Sequence, residues 1–555
     1  MVKNVVKLFY REFRGLHQAA YVLAIFAFTS QLLALVRDRA LAHTFGAGSE
    51  LDLYYLAFRI PDILFVIFAA MLSVYVLIPF VSRLQTESGN TAAAHLLSQI
   101  FTFFLVAYII ISLSLVTTAH WYIPHLFPAL DSTEIQTLIL LMQILLLQPF
   151  LLGCSSLMGV ITQLKQRFIV YAVSPILYNI GIIIGIFVFY PLFDLVGLVY
   201  GVVLGAIAHA LVQIPLVLHS PLRFGLALPT KLVLLQVIKV AIPRAITLSL
   251  NQIVLLVLSI LAATMTVGSV SVFQFAFNLQ SVPLAIIGVS YSVAAFPVLA
   301  KLLAGKEIQK FVTHVRTALR HIIFWSVPVI ALVIILRAHI VRIVLGSGNF
   351  SWDDTRLTAA ILAIFSISLL AQAVSLLTIR AFYASGDTRT PLYTALIGSF
   401  FTLTTALFSY YYLYQIPAVA DFLNESLRLG SVPGTEVITL ALGFTVGVSI
   451  QAVCMIWLLE RSFPGIVTEL RICLRDALLA ATSGGTMAYF TLNFIVKGIN
   501  QETFIGIFLQ GSIAAFIGVT TIFLVYKLLK TRELHEIQGS LHRKLNPKKF
   551  TNLAE

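Results

Sequence analysis

Residues 169–190 read IVYAVSPILYNIGIIIGIFVFY, a stretch without a charged side chain that follows Lys165 and Arg167 and precedes Asp194. A helix needs about 20 predominantly apolar residues to cross the hydrocarbon core of a bilayer. This stretch has that length and composition, and similar stretches recur along the whole chain. The sequence therefore predicts a membrane protein whose main solvent is lipid.

The composition and charge of the chain agree with this interpretation. Of its 555 residues, 59% are hydrophobic and only 11% are charged, whereas soluble domains carry roughly 25% charged residues. The net charge is +13, and the cationic residues that produce it lie between the apolar stretches and not in one basic patch. We therefore do not expect nucleic acid as a partner. The cysteines Cys154, Cys454 and Cys473 are far apart, which predicts neither a disulfide framework nor a metal site. We expect no cofactor.

Polar, proline and glycine breaks divide the chain into about fourteen predicted membrane helices, here called spans 1 to 14. They lie near residues 19–43, 52–81, 92–119, 134–163, 169–190, 193–218, 232–264, 270–299, 318–345, 356–383, 391–414, 437–459, 474–496 and 503–526. The expected fold is an all-α polytopic membrane protein.

Lysine and arginine residues predict the orientation of the spans, because short cytoplasmic loops are enriched in them. Such cations occupy alternate loops, as Arg83, Lys165 and Arg389 illustrate. With an even number of spans, both termini are then cytoplasmic. Residues 1–18 are predicted to form a basic cytoplasmic leader, and residues 531–555 a basic, solvated cytoplasmic tail.

Short matches between distant segments predict an internal duplication. Residues 79–84 (PFVSRL) match 297–302 (PVLAKL) at an offset of 297 − 79 = 218, and Arg167 matches Arg389 at 389 − 167 = 222. Six spans separate the members of each pair, so the two halves have the same orientation in the membrane. Parallel repeats of this kind are related by an axis along the membrane normal.

The predicted architecture has two six-helix lobes related by a pseudo-two-fold axis, residues 19–225 (spans 1 to 6) and 226–465 (spans 7 to 12). Residues 466–530, with spans 13 and 14, follow outside the repeat. The sequence has no phosphate-binding loop, no H-E-x-x-H motif and no nucleophile elbow. We therefore expect a transporter that works by alternating access, and not an enzyme.

Ionisable residues inside spans 1 and 2 are the strongest candidates for a functional site. Such residues cost about 2.5–3.5 kcal/mol on insertion scales, so they usually face a cavity or a partner. The group comprises Arg37, Asp38 and Arg39 in span 1 and, at helical spacing in span 2, Asp52, Arg59 and Asp62.

Two interpretations of this group stay open at this point. In the first, the span 1 arginines cap an ordinary helix at the lipid headgroups, while Arg59 and Asp62 neutralise each other. In the second, the side chains line a water-filled cavity in which guanidinium groups bind a diphosphate in bidentate fashion. The amides of Asn179 and Asn278 and the lone His209 are expected to be structural by default.

Four stretches of the chain resemble the MurJ (MviN) lipid II flippases of the multidrug/oligosaccharidyl-lipid/polysaccharide exporter superfamily. They are residues 35–84, residues 269–301, residues 380–391 and Pro243-Arg244 with Asn251-Gln252. The most specific pieces are RAFYASGDTRTP at 380–391 and the R-D...FGAG...D pattern at the start of the first stretch. The resemblance covers about residues 20–530. It implies fourteen helices, of which twelve form two six-helix lobes and the last two form a terminal pair that guides the lipid tail.

The resemblance also implies a function and a set of site residues. The function is alternating-access translocation of lipid II, an undecaprenyl-diphosphate-linked muropeptide, between the leaflets of the bacterial cytoplasmic (inner) membrane. Arg37 and Asp38 match a pair implicated in binding the diphosphate, Asp52 matches an important acidic position, and Asn179 matches a cavity asparagine. The implied partners are the lipid-linked precursor and membrane lipids, with the cell-wall synthesis machinery as a further candidate.

The chain also departs from the family pattern at several cavity positions. Gln31 and Asn278 stand where arginines are usual, and Leu258 replaces an acid that helps to form a sodium site in some members. The expected cavity is therefore less cationic, with Asn278 kept as a candidate binding residue and Arg39 or Arg59 as compensating cations. Alternative functions are export of another polyprenyl-linked glycan and a non-transporting cell-wall scaffold.

Overall fold

The computed structural model describes residues 16–501 and 503–545, and every regular element in those ranges is helical. Residues 1–15 of the predicted leader, residues 546–555 of the tail and the side chains of Pro243 and Arg244 lie outside the description. The first helices are α1 (Leu16–Phe45), α2 (Ser49–Ala57), α3 (Arg59–Met71), α4 (Val74–Leu126), α5 (Ser132–Leu145), α6 (Leu147–Leu164), α7 (Phe168–Ile184), α8 (Tyr190–Leu211) and α9 (Ile214–Leu218).

The later helices complete the all-α fold that the sequence predicts. They are α10 (Lys231–Ala263), α11 (Ser269–Leu284), α12 (Ser290–Ala304), α13 (Ile308–Val344), α14 (Trp352–Ile367), α15 (Leu369–Ala384), α16 (Arg389–Phe408), α17 (Pro417–Ser426), α18 (Ile438–Ser462), α19 (Leu470–Phe490), α20 (Phe504–Leu528) and α21 (Arg532–Leu545).

Many of these helices are able to span a bilayer. Within the described residues, nine helical segments are long and apolar enough to cross a membrane. A tenth is added if α14 and α15, which meet at a 44° bend, form one span. The polytopic membrane fold is thereby confirmed, while the number of fourteen spans stays a prediction.

The connection between predicted spans 2 and 3 is shorter than expected. Helical structure continues from Val74 to Leu126 and is interrupted only at Gly89, whose φ is 84° and ψ is 178°. Glycine adopts this left-handed region without the steric cost of a side chain. A single residue therefore replaces the expected loop, beside an exposed ion pair in which Arg83 Nε lies 2.7 Å from Glu87 Oε1.

Aspartates outside the predicted spans fix the starts of two helices. At α5, the Asp131 carboxylate accepts hydrogen bonds from the backbone of Glu134 and Thr133, and these bonds hold the pKa of Asp131 below its ordinary value. At α16, Asp387 accepts from the backbone N–H groups of Arg389 and Thr390. Asp387 lies in the stretch RAFYASGDTRTP, so that motif serves locally as a turn and a helix cap.

Small residues allow two helix pairs to pack backbone against backbone. In α7 and α8, a Cβ atom on Gly181 would lie 2.3 Å from the Cα atom of Gly205. In α16 and α18, a Cβ atom on Gly447 would lie 2.5 Å from the carbonyl oxygen of Gly398. Such close contacts are typical of membrane helix pairs. The two pairs correspond to spans 5/6 and 11/12, which are matching positions in the predicted repeat.

A second feature recurs at matching positions of the predicted repeat. Gly185–Phe189 forms a π-helical segment directly after α7, and Ser409–Leu413 forms one directly after α16. Their first residues are 409 − 185 = 224 positions apart, close to the sequence offsets of 218 and 222. Further π-helical segments lie at Ala285–Val289 and Thr491–Ile495, and the duplication stays a prediction.

By packing, the chain divides into two compact units. The first unit runs to Gln274 and also includes Leu345–Asp354, and the second contains Phe275–Val344 and the residues from Thr355 onward. The first unit extends past residue 225 because α10 packs against α3. These units group residues by contact, whereas the lobes at 19–225 and 226–465 group them by repeat, so the lobe boundary stays a prediction.

The prediction that the tail is solvated from residue 531 is wrong for its first part. There α21 packs within the second unit, with Leu534 in its hydrophobic core and Ile537 packed against that core. Glu533 is also buried, because its carboxylate pairs with Arg320. The prediction relied on the polar composition of this segment, but a charged side chain can be buried when it forms an ion pair, as Glu533 does with Arg320.

Candidate substrate site

The centre of the candidate site is an arginine–aspartate pair near the end of α1. Arg37 donates from Nε and Nη2 to Asp38 Oδ1, at 3.0 and 2.7 Å. Asp38 is buried, with 4% of its side chain exposed, whereas 21% of the Arg37 side chain is accessible. The pair is therefore enclosed on its anionic side and more open on its cationic side.

Asn179 of α7 is the second helix's contribution to this site. Arg37 Nη1 donates to Asn179 Oδ1 at 3.2 Å, and Asn179 Nδ2 donates to the carbonyl oxygen of Pro175 at 3.0 Å. A longer contact of 3.4 Å joins Asn179 Nδ2 to Ser30 Oγ. The structure thus brings Asn179 to the adjacent residues Arg37 and Asp38, although it lies more than 140 positions further along the chain.

A cavity of about 620 Å³ adjoins this network in the first unit. Its lining comes from five predicted spans and includes Ser30, Phe65, Tyr178 and His209. Ser30 belongs both to the cavity wall and to the hydrogen-bonded chain from Arg37. The volume lies in the range typical of ligand sites, roughly 300–1,000 Å³.

The cavity wall also contains His209, which has a structural partner as expected. Its Nδ1 lies 2.7 Å from Ser155 Oγ, and Gln213 Nε2 donates to the same hydroxyl at 2.5 Å. These bonds join α6 to the region where α8 ends. His209 is thus a packed, hydrogen-bonded residue of the cavity wall.

Asp52 has contacts that the sequence did not predict. Its carboxylate accepts from the backbone N–H groups of Gly268 and Ser271, at 2.7 and 2.8 Å, and from Ser271 Oγ at 2.5 Å. These donors lie at the beginning of α11, where helical N–H groups lack partners within the helix. Asp52 therefore caps α11, a helix more than 200 residues further along the chain.

A second set of contacts lies beside the Asp52 cap. Asn349 donates from its backbone N–H to the carbonyl oxygen of His43 at 2.9 Å and from Nδ2 to that of Thr44 at 2.7 Å. Gly46 and Gly268 both have positive φ, and a Cβ atom on either would lie within 2.6 Å of a backbone oxygen. We call residues 43–52, 268–271 and 348–349 the loop junction, which lies within the first unit.

The remaining candidate residues have different surroundings. Arg59 is buried and donates from Nη2 to Gln274 Oε1 at 2.7 Å. Arg39 is half-buried in α1, and Asn278 is half-buried in α11 within the second unit. Binding of substrate by Arg37, Asp38, Arg39, Asp52, Arg59, Asn179 and Asn278 stays a prediction.

Some residues near the site were missed from sequence. Ser30 precedes Arg37 by seven residues, which places both on one face of a helix. Its position near Arg37 could therefore have been predicted from the spacing. The positions of Gln274 and Tyr178 could not be predicted in this way, because apolar spans contain many such polar groups. Only packing brings Gln274 to Arg59 and Tyr178 to the cavity wall.

Comparison with solved structures defines the class of protein to which this fold belongs. A structure described as "Lipid II flippase MurJ, inward closed conformation" superposes with a TM-score of 0.73 over 92% of this chain and 100% of that one, at 21% identity. An inward-facing multidrug resistance MATE family transporter of the MOP superfamily gives 0.65 over 78% and 94%, at 16% identity. The fold is that of these polytopic helical transporters.

Sequence comparison then gives the family. Residues 41–513 match the family described as "Lipid II flippase MurJ", so the chain belongs to the MurJ family. A relative from Buchnera aphidicola subsp. Baizongia pistaciae, described as "Probable lipid II flippase MurJ", is 25% identical over 382 residues, which is 67% of this chain and 73% of that protein. The predicted family resemblance is confirmed.

Proposed function

We propose that this protein flips lipid II, the undecaprenyl-diphosphate-linked peptidoglycan precursor, from the inner to the outer leaflet of the bacterial cytoplasmic membrane. Membership of the MurJ family supports the substrate class. The observation that carries the proposal is the hydrogen-bonded chain from Arg37 through Asn179 to the cavity wall. Translocation requires no bond to be made or broken, which agrees with a transporter.

Arg37 is the residue we propose to bind the diphosphate. A guanidinium group can donate two parallel hydrogen bonds to phosphate oxygens. Two of its nitrogens donate to Asp38, while Nη1 donates to the neutral amide of Asn179. Exchange of that neutral acceptor for a charged phosphate oxygen strengthens the hydrogen bond. Asp38 keeps the arginine oriented throughout.

The apolar composition of the cavity wall supports a large contribution of one arginine to the proposed binding of substrate. Phe65, Ala69 and Leu152 give the wall a largely apolar character, with serine hydroxyls such as Ser30 and Ser155 between them. A charged group in such surroundings interacts more strongly with a cation than it does in water. We therefore assign substrate contact to Arg37 and Asn179, with Arg39, Arg59 and Asn278 as further proposed contacts.

The loop junction is the proposed outer seal. It joins the end of predicted span 1 and the start of span 2 to two other loops, one between spans 7 and 8 and one between spans 9 and 10. Both of these loops belong to the predicted second lobe. In alternating access, rocking of one lobe against the other must break contacts on one side of the membrane. We propose that release of Asp52 from α11 accompanies outward opening.

The proposed setting follows from the charge bias of the loops. Both termini face the cytoplasm, and the precursor and the surrounding lipids are the molecules that the protein contacts. The cell-wall synthesis machinery is a further proposed partner, since it consumes the flipped precursor. Spans 13 and 14 are proposed to guide the lipid tail.

The experiment that tests the function is a precursor-accessibility assay in a strain depleted of its own flippase. Cells that produce the wild-type protein should expose lipid II on the outer leaflet, whereas Arg37→Glu should leave it in the inner leaflet at equal membrane expression. The matched control is Arg83→Glu, because Arg83 is exposed and its ion pair is local. Normal lipid II exposure with Arg37→Glu contradicts the proposal.

The same assay separates the alternative functions. An exporter of another polyprenyl-linked glycan would leave lipid II inside even with the wild-type protein, and that glycan would respond to Arg37→Glu instead. A scaffold would not alter the leaflet distribution of any precursor. The wild-type result for lipid II therefore separates a lipid II flippase from both alternatives, and the leaflet distribution of the other glycan separates the exporter from the scaffold.

A further inference from the structure

A closed cluster of charges joins three segments of the second unit. Arg320 of α13 donates from Nε to Glu533 Oε1 at 2.6 Å, and only 4% and 6% of these two side chains are exposed. Arg320 Nη1 also lies 3.7 Å from Glu469 Oε2, and Nη2 lies 3.6 Å from Glu536 Oε1. One buried arginine thus interacts with the segment before α19 and with the helix after α20.

Neighbouring residues reinforce the same attachment. Arg532 Nη1 lies 3.3 Å from Glu469 Oε2, and His321 Nε2 lies 3.0 Å from Glu536 Oε2. Arg316 also donates to the carbonyl oxygen of Gly465. Within this cluster, the charged side chains of α13, α21 and the segment before α19 are therefore paired with one another.

Helices α19 and α20 also bond directly to the backbone of α13. Cys473 Sγ donates to the carbonyl oxygen of Arg320 at 3.3 Å, and Tyr526 Oη donates to that of Phe324 at 2.7 Å. Each donor comes from a different helix of the terminal pair. Both helices are thus attached to the same turn of α13.

A polar contact of the same kind lies at the other end of α13. His339 Nε2 lies 3.3 Å from Gln510 Oε1, and Gln510 Nε2 donates to the carbonyl oxygens of Val496 and Ile499 at 3.0 and 2.9 Å. Arg320 and His339 are 19 positions apart, about 28 Å along a helix. This distance is close to the roughly 30 Å thickness of the hydrocarbon core.

Between these two ends, small residues bring the helices together. A Cβ atom on Gly485 of α19 would lie 3.6 Å from Cβ of Ala331 in α13. A Cβ atom on Gly511 of α20 would lie 3.2 Å from Cβ of His339. Close approach through glycine and alanine is the way in which membrane helices gain van der Waals contact.

We infer that Arg320 is a positioning residue that fixes the two terminal helices, α19 and α20, to α13, so that these helices move as one body during transport. The inference deepens the proposed function and rests on it. Helix α13 belongs to the predicted repeat as span 9, whereas α19 and α20 lie outside it. The terminal pair then follows its lobe and does not open and close against it.

A disulfide tests this inference directly. Ala331→Cys and Gly485→Cys, introduced together after replacement of Cys154, Cys454 and Cys473 by alanine, place two Cβ atoms at a separation that suits a disulfide, about 3.5–4.5 Å. The variant is oxidised in cells, and lipid II exposure is compared before and after reduction. We expect the disulfide to form and exposure of the precursor to be the same in both states.

Other outcomes of this experiment have separate meanings. Loss of exposure on oxidation that reduction restores overturns the inference, because the helices must then separate during transport. Failure of the disulfide to form in folded protein also overturns it. Absence of lipid II exposure by the wild-type protein, by contrast, contradicts the proposed function and not the attachment.

A second variant tests the role of Arg320 without a cross-link. In an otherwise wild-type chain, Arg320→Met should raise the rate at which a maleimide labels Cys473, which is buried against α13. The reactivity of Cys454, on α18, should stay unchanged, and Arg320→Lys should restore much of the protection of Cys473. Unchanged protection of Cys473 in Arg320→Met overturns the inference, because the charge cluster would not position α19.

Discussion

Arg37 and Arg320 are both arginines of long apolar helices, yet their partners differ in a way that separates function from architecture. Arg37 pairs with the next residue in sequence and keeps 21% of its side chain accessible. Arg320 has three carboxylate neighbours, from residues 469, 533 and 536, and keeps 4% accessible. A local pair leaves a cation available to a ligand, whereas a cation enclosed by distant segments holds those segments together.

The largest expected effect falls on the enclosed arginine. Arg320→Met leaves the Glu533 carboxylate buried without its partner, which should cost about 3 kcal/mol of stability. Thermal melting of the purified protein in detergent measures this loss. The combined change Arg320→Met and Glu533→Met should recover most of it, because no buried charge is then left unpaired. A melting temperature equal to that of the wild type in the single variant contradicts the comparison.

The next effect concerns transport and not stability. Arg37→Lys keeps the charge but loses the planar fork, so one charged hydrogen bond disappears and lipid II flipping should fall about tenfold. The melting temperature should stay close to that of the wild type, since the ammonium group of the introduced lysine can still neutralise Asp38. If Arg37→Lys lowered the melting temperature as much as Arg320→Met does, both arginines would have the same structural role.

A smaller effect is expected at the loop junction. Asp52→Asn weakens the cap of α11 by about 1 kcal/mol, which should raise labelling of a cysteine introduced by Ser269→Cys about fivefold. Asp131→Asn is the matched control, because Asp131 caps α5 within its own helix start. Equal labelling in the Asp52 variant and the wild type would remove the loop junction from the proposed gating step.

The smallest effect is expected at Arg83, whose pair with Glu87 is exposed and lies within one helix. Solvent screens such a pair, so Arg83→Ala should change neither the melting temperature nor lipid II exposure. A loss in either measurement would mean that enclosure does not distinguish the arginines of this protein.

Much of the fold was predictable because lipid imposes a simple rule on sequence. Apolar stretches of sufficient length become helices, and those at 169–190 and 391–414 lie on α7 and α16 with their π-helical extensions. The lengths of the connections were harder to predict from sequence. The loop expected between spans 2 and 3 is one glycine, Gly89, because helical structure continues directly on either side of it.

The candidate site was predictable only in part. Arg37 and Asp38 were recognisable as costly groups inside an apolar span, and Asn179 was recognised through the family resemblance. The role of Asp52 as a cap for α11 was not accessible, because its donors, Gly268 and Ser271, lie more than 200 residues away. The polar composition of α21 likewise gave no indication that Glu533 is buried against Arg320.

By itself, the sequence determined that this chain is helical, lies in a membrane and carries a rare arginine–aspartate pair, because hydropathy and the cost of buried charge act residue by residue. Only the tertiary structure decided which charges are available and which are enclosed. The distinction between Arg37 and Arg320 depends on the partners that packing brings to each of them. That choice is made by contacts between distant segments, which no local pattern records.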